Sequence, residues 1–255
     1  MWTAAVYAQD NGVPVKLAAD LWCPFTCASS ASQQGFLVDV ARLALPGRVK
    51  NYEVAGWSRV LQMQSAAPAP VLIVLGVGNS EQNRQRFVLS RKPVLFSPMC
   101  FYRLKGSAAP FKGVVSLKDL RVGITQGYQF EDSAMSEFVK TASRRHLNML
   151  TGADASVRHV QMLLRKRSDV VVEDRTVMRW SMNQQPGASE AIEEAACLEE
   201  RDPGVYVGVP RSDPRAPTVI QDFDVAFDAL TRRGQLAALR KFYGLEPVSG
   251  PREQR

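Results

Sequence analysis

Val71-Leu-Ile-Val-Leu-Gly-Val77 decides the fold class of this chain. Six of its seven positions carry aliphatic side chains and Gly76 is the exception, with no polar residue alternating between them. An apolar run of this length, bounded by Pro70 on one side and Gly78-Asn79 on the other, describes a strand covered on both faces. It falls far short of the roughly 20 residues that cross a bilayer. Strands covered on both faces belong to parallel sheets flanked by helices, so helical segments are expected on either side of it.

Working outward, that expectation is met in both directions. Upstream, Val15–Ala19 is a strand that closes at a Trp-Cys-Pro-Phe loop. A helix starting at Gly35 places Phe36, Leu37, Val40, Ala41 and Ala44 on one stripe before Pro46-Gly47 stops it. Tyr52–Val54 is a strand, and a helix from Trp57 to Ser65 ends at Ala67-Pro-Ala-Pro70. Downstream, 94–104 is a long extended stretch broken by Pro98, and Ser116 with Asp119 forms a weak capping box over one turn. A second alternating series then begins: strand 121–125, helix 130–143, strand 147–150. Asp154 caps a helix bearing Val157, Val160, Leu163 and Leu164. The strand Asp169–Val172 ends in Glu173-Asp174, with a helix from Thr176. Val205–Val209 is a further strand. Closing helices span 217–233 and 235–243, with Gly234 and Gly244 in C-cap positions. Two alternating series predict an α/β protein of two lobes with mainly parallel sheets.

Composition excludes several classes. The 255 residues are 45% hydrophobic and 22% charged, which rules out a disordered, collagen-like or disulfide-only chain. The net charge of +7 is concentrated in residues 1–104, where ten basic residues face five acidic ones. No run of five or six like charges and no zinc-finger or RNA-recognition signature accompanies it, so nucleic acid is not expected as a partner. The acidic set Glu190, Glu193, Glu194, Glu199 and Glu200 is expected to be a solvated face.

Four cysteines and two histidines do not form a zinc-binding set, and Cys23 and Cys27 lack redox Cys-x-x-Cys spacing. No metal and no cofactor is expected. Two disulfides, Cys23–Cys27 and Cys100–Cys197, are the economical pairing and imply an oxidising compartment; four reduced, buried thiols are the alternative. Val6-Tyr-Ala8 before Gln9-Asp10 is like the small-residue end of a secretory signal, most of which this chain would lack.

Particular motifs carry a family likeness. Leu17-Ala-Ala-Asp20-Leu-Trp22 followed by Gly35-Phe-Leu-Val-Asp39-Val resembles the periplasmic solute-binding proteins of ABC transporters. The likeness is to the amino-acid-binding type, solute-binding protein family 3, with the type II periplasmic-binding fold. Further motifs follow in the family's order: Trp57-Ser-Arg59-Val-Leu61, 71–78 with the Arg-containing loop up to Pro93, Ser116 to Gly123, Gly127-Tyr128, Asp169 to Asp174, and Lys241-Phe-Tyr-Gly244. The resemblance covers residues 15 to 245. Two departures stand out. Ala67-Pro-Ala-Pro70 replaces a Gly-x-x-Asp turn, and Glu81-Gln-Asn-Arg84 inserts two residues before the carboxylate-binding arginine, so Arg84 or Asn83 holds that position.

The resemblance implies lobe 1 from 10–104 plus 201–246, lobe 2 from 105–200, and a disordered tail at 247–255. Crossings would fall near Arg103–Gly106 and Glu200–Val205. Ligand would bind between the lobes, where strand C-termini converge. Trp22, Phe25 and Trp57 would supply aromatic walls, Trp57 serving equally well as core. Arg59 and Arg84 would fork onto a ligand carboxylate. Gly78 ends the first-lobe strand beside the ligand, and Thr125 and Tyr128 flank a turn before a helix N-terminus. Asp174 would take a ligand ammonium or cap the helix after it. The implied role is capture of a small polar solute, an amino acid or related carboxylate, by a periplasmic monomer. It would deliver that solute to an ABC transporter permease in the inner membrane. Two alternatives remain: a ligand sensor serving a receptor, and an enzyme like the cyclohexadienyl dehydratases that share the fold. For catalysis Glu173 is the one well-placed acid, and strand alternation turns it away from Asp174. No Gly-x-Ser-x-Gly elbow, P-loop or His-Glu-x-x-His is present, and no enzymatic activity is expected.

Overall fold

A computed structural model describes residues 12–65, 67–107, 111–130, 132–199 and 202–245. The signal-like segment at 6–10 and the tail at 247–255 lie outside them. In chain order the first elements are β1 (Val15–Ala19), α1 (Phe36–Ala44), β2 (Val49–Val54), α2 (Trp57–Val60), β3 (Val71–Gly78), α3 (Glu81–Arg86), β4 (Phe87–Leu89), β5 (Leu95–Phe96) and β6 (Met99–Leu104). A 3-10 turn at Gly113–Asp119 leads to β7 (Val122–Thr125), α4 (Ser133–Thr141), β8 (Leu147–Leu150), α5 (Ala155–Leu164), β9 (Val170–Asp174), α6 (Arg175–Asn183), α7 (Ala188–Ala191) and β10 (Ile192–Cys197). The chain closes with β11 (Gly204–Pro210), α8 (Ala216–Arg232) and α9 (Gln235–Phe242).

The first sheet has the order β2-β1-β3-β11-β4, with β5 also on β11. Its β2, β1 and β3 are parallel, while β11 runs antiparallel to β3 and β4. Alternation along β3 builds two cores. Val71, Ile73 and Leu75 pack with α1 and α8 residues such as Phe36 and Phe223. Leu72 and Val74 pack on the other side with Trp57 and Val60 of α2. Gly76 interrupts the alternation: its φ of +83° is open to glycine, and the pairing with β11 slips there. Val77 therefore joins Val74 instead of Leu75.

The second sheet has the order β10-β6-β9-β7-β8, parallel across β9, β7 and β8 and antiparallel across β10, β6 and β9. Val170 and Val172 face the core that holds Leu117 and Met135, and Val171 faces the one that holds Val160 and Met178. The two-lobed α/β architecture is as expected, with antiparallel strands completing each parallel set.

Several local expectations are corrected. The strand at 99–104, expected to close the first lobe, lies in the second sheet, so the crossing falls at Ser97-Pro98 and not at 103–106. Pro98 has no N–H for either ladder, which is why the long extended stretch divides there. The return crossing, between Cys197 and Gly204, runs beside the first: Leu198 N–H donates to Met99 O at 2.8 Å, and Ser97 N–H donates to Pro203 O at 2.9 Å. Helix α2 ends at Val60, not Ser65, because the chain tightens into i→i−3 turns at Gln62 and Met63. Ser65 is then held apart, donating to Asp213 Oδ2 at 2.7 Å and accepting from Leu72 N–H. The acidic set is solvated as expected where it is described, with Glu190, Glu194 and Glu199 exposed and Glu193 half-buried; Glu193 and Glu194 lie on β10 and pair with Arg103 and Arg175, and Glu200 lies outside the described residues. Both expected disulfides are present, and Cys100–Cys197 joins directly opposed residues of β6 and β10.

Candidate ligand-binding cleft

A cleft with about 100 Å³ of room opens between the lobes, beside the paired crossings. The first lobe contributes Asp20, Trp22, Trp57, Gly78 and Asn83 to its lining, and the second contributes Tyr128 and Asp174. Local structure places each. Trp22 sits in a tight loop closed by reciprocal backbone hydrogen bonds with Thr26, at 2.7 and 3.0 Å, and by the Cys23–Cys27 disulfide. Its ring lies over Gly76, where an added Cβ would be 3.5 Å from the indole. Trp57 opens α2 and rests against Gly127, whose φ of +92° shapes the turn into Tyr128. Asn83, on α3, gives its amide N–H to Gly78 O at 2.9 Å.

Carboxylates dominate the interior. Glu173 and Asp174, at the end of β9, are both 0% exposed, and Asp20, after β1, is 8% exposed. Glu173 ties the two lobes together. Its Oε1 accepts from the Trp22 indole N–H at 3.3 Å, the Tyr128 hydroxyl at 3.1 Å and the Asp174 backbone N–H at 2.9 Å. Its Oε2 accepts from Ser156 at 2.6 Å. Burial raises its pKa, and these donors pull against that rise. Asp174 Oδ1 caps α6 by accepting from the N–H groups of Thr176 and Val177, at 2.8 and 3.0 Å. Its Oδ2 is buried with no hydrogen-bond partner. Burial pushes the Asp174 carboxyl up to about 7, and the nearby Ser97 hydroxyl offsets only part of that. Asp20 is likewise pushed up to about 7, by burial first and by the neighbouring Glu173 charge second. Asn83 Oδ1 is a second buried acceptor without a partner.

Of the residues expected at the site, Trp22, Trp57, Gly78, Tyr128 and Asp174 line the cleft together. Four others do not. Phe25 packs behind Trp22 with ring centroids 5.0 Å apart, because an apolar ring after the loop completes the first-lobe core. Thr125 is buried within β7 and does not reach the lining. The Arg59 side chain is 75% exposed and faces Glu53 across 3.7 Å. Arg84 turns outward onto the carbonyl and side chain of Asn79, since it follows Asn83 on a helix and so takes the neighbouring, solvent-side position. Asn83 is the one of the pair that reaches the cleft. Asp20, which also lines the cleft, was not among the expected residues, although its place directly after an apolar strand was the available signal.

No protein-family model matches the chain, and no curated protein matches it in sequence. Solved structures match it in fold. A histidine kinase sensor domain with similarity to periplasmic binding proteins superposes with a TM-score of 0.73 at 15% identity, covering 92% of this chain and 98% of that one. An ancestral arginine-binding protein bound to arginine gives 0.72 at 16% identity, with 91% and 98% covered. The arginine-, lysine-, histidine-binding protein ArtJ from Geobacillus stearothermophilus gives 0.68 at 17% identity, with 92% and 96% covered. The chain therefore has the two-lobed α/β fold of periplasmic-binding-protein-like structures. Its cleft lies between the lobes and is lined by both.

Proposed function

We propose that this chain is a periplasmic solute-binding protein that captures a small polar solute by hinge closure and hands it to an ABC transporter permease. The observation that carries this reading is the cleft itself: buried polar groups and aromatic rings from both lobes converge beside a two-stranded crossing. Paired crossings of this kind let two rigid lobes open and close with little change inside either. Two disulfides suit an oxidising compartment. Among the described residues no helix is long and apolar enough to cross a membrane. The same reading has the protein act as a monomer.

Capture rather than catalysis is favoured by the state of Glu173. Four donors already occupy its two oxygens, so the acid that a dehydratase-like reaction would use is committed to holding the lobes. A receptor-linked sensor would use the same capture step, and the likeness to a kinase sensor domain supports that second reading. A thermal-shift screen of amines, amino acids and organic acids tests the proposal, with turnover assayed on each hit. A solute at about 100 times its dissociation constant adds about 2.7 kcal/mol of stability. A hit that is bound and returned unchanged is the expected outcome; consumption of the solute, or no shift with any class, would overturn it.

A further inference from the structure

We propose that the cleft is built for a small organic amine without a carboxylate, its ammonium held by Asp20, Asp174 and the Asn83 amide oxygen between aromatic rings. This rests on the solute-capture reading and names the chemical class of the solute.

With Asp174 ionised, as at pH 8, the two buried side-chain atoms of the cleft that lack a partner among the described residues have one polarity. Asp174 Oδ2 and Asn83 Oδ1 belong to side chains 0% and 4% exposed, and both are acceptors without partners. Three of the donors around them are already committed, the Trp22 indole and Tyr128 hydroxyl to Glu173 and the Asn79 amide to Asp202 at 2.8 Å, while the Ser97 hydroxyl lies beside Asp174. A buried acceptor left unmet is costly, so whatever fills the space must bring N–H or O–H groups. Among the described residues no lysine or arginine lines the cleft. A ligand carboxylate would meet Asp20 and Asp174 with no counter-charge, whereas an ammonium would neutralise them.

The remaining walls narrow the class further. Trp22, Trp57 and Tyr128 present ring surfaces, which attract alkylammonium groups and suit an aliphatic stem. A quaternary ammonium has no N–H to give the two open acceptors. A hard divalent cation needs six to eight oxygen ligands, and rings occupy much of this wall. The space between these walls suits a small solute. Asp20 and Asp174, both pushed up to about 7, would ionise as the cation enters.

Matched pairs that differ only in the α-carboxylate test this directly: cadaverine against lysine, and agmatine against arginine, by isothermal titration and thermal shift at pH 8. Choline, calcium chloride and succinate complete the panel. At least one decarboxylated member is expected to bind tenfold or more tighter than its amino acid. Asp174→Asn and Asp20→Asn should each weaken that binding at least tenfold with the circular-dichroism spectrum unchanged. Arg84→Ala, outside the cleft, serves as the control. Equal or tighter binding of an amino acid, or preference for succinate, choline or calcium, overturns the amine assignment while leaving solute capture in place. Wild-type affinity in both aspartate variants overturns the assignment as well. Silence across the whole panel overturns both.

Discussion

The indole N–H of Trp22 in the first lobe donates to the carboxylate of Glu173 in the second, 3.3 Å away and 151 residues along the chain. Because Glu173 also accepts from Tyr128 and Ser156 of its own lobe, it acts as a buried tie for the closed arrangement. Glu173→Ala would strand these donors inside the protein. A stability loss of about 3 kcal/mol is expected in urea denaturation, since each unmet buried group costs about 1–3 kcal/mol. The Trp22 fluorescence should move to longer wavelength as the lobes part. An unchanged emission spectrum would mean that Glu173 does not hold Trp22.

Asp20 and Asp174 make the empty protein pH-sensitive. Both carboxyls are held up to about 7, against an ordinary value of 3.8, so between these limits the folded state binds more protons than the unfolded one. Stability then falls as pH rises through that window. Asp213 has the opposite sign: its bond to Arg215 first, with further hydrogen bonds, holds it below the ordinary range, and its contribution is lost only in stronger acid. The ligand-free protein is expected to be more stable at about pH 5 than at pH 8. Asp20→Asn should flatten that slope. Denaturant midpoints at three pH values would show it, and a wild-type curve rising towards pH 8 would contradict it.

The same groups give ligand binding the reverse dependence. A cation needs Asp20 and Asp174 ionised, while Glu173, Tyr128, Tyr102 and Arg175 stand close enough to act on their charge. Affinity for an amine should therefore rise from about pH 6 to pH 8, with protons released on binding. Titrations in buffers of different ionisation enthalpy measure that release directly, and zero release at pH 6.5 would remove the two carboxyls from the binding step.

Arg59→Ala and Arg84→Ala should leave solute affinity within about twofold of wild type, because both side chains lie outside the cleft and exposed pairs are worth little. A tenfold loss in either variant would place an arginine at the ligand.

Cys100 and Cys197 close a span of 97 residues, nearly the whole second lobe. Replacing both with alanine is expected to cost about 2–4 kcal/mol, chiefly by freeing the unfolded chain. Denaturation with and without reductant checks this, and equal midpoints would show that the crosslink contributes nothing.

Strand 71–78 was legible from sequence because a strand covered on both faces needs an unbroken apolar run, and the order of the alternating segments followed from hydrophobic period alone. Trp22, Gly78, Tyr128 and Asp174 were assigned to the cleft through the family resemblance, and they lie at or just beyond strand ends, which the α/β architecture brings together. The lobe boundary was not. Residues 94–104 are extended throughout, and only the partners of each half assign them to different sheets. Glu193 and Glu194 are surface charge as read, but that they lie on a strand was not legible, because β10 gains its place only by pairing with β6, far away in sequence. Of the neighbouring residues Asn83 and Arg84 the sequence favoured Arg84, and helix geometry decided for Asn83 by turning it inward and Arg84 out. Local pattern determined which segments become strands and helices, since periodicity is a property of neighbours. The polarity of the cleft was decided only by tertiary structure, because which acceptors stay open depends on which distant donors are already taken.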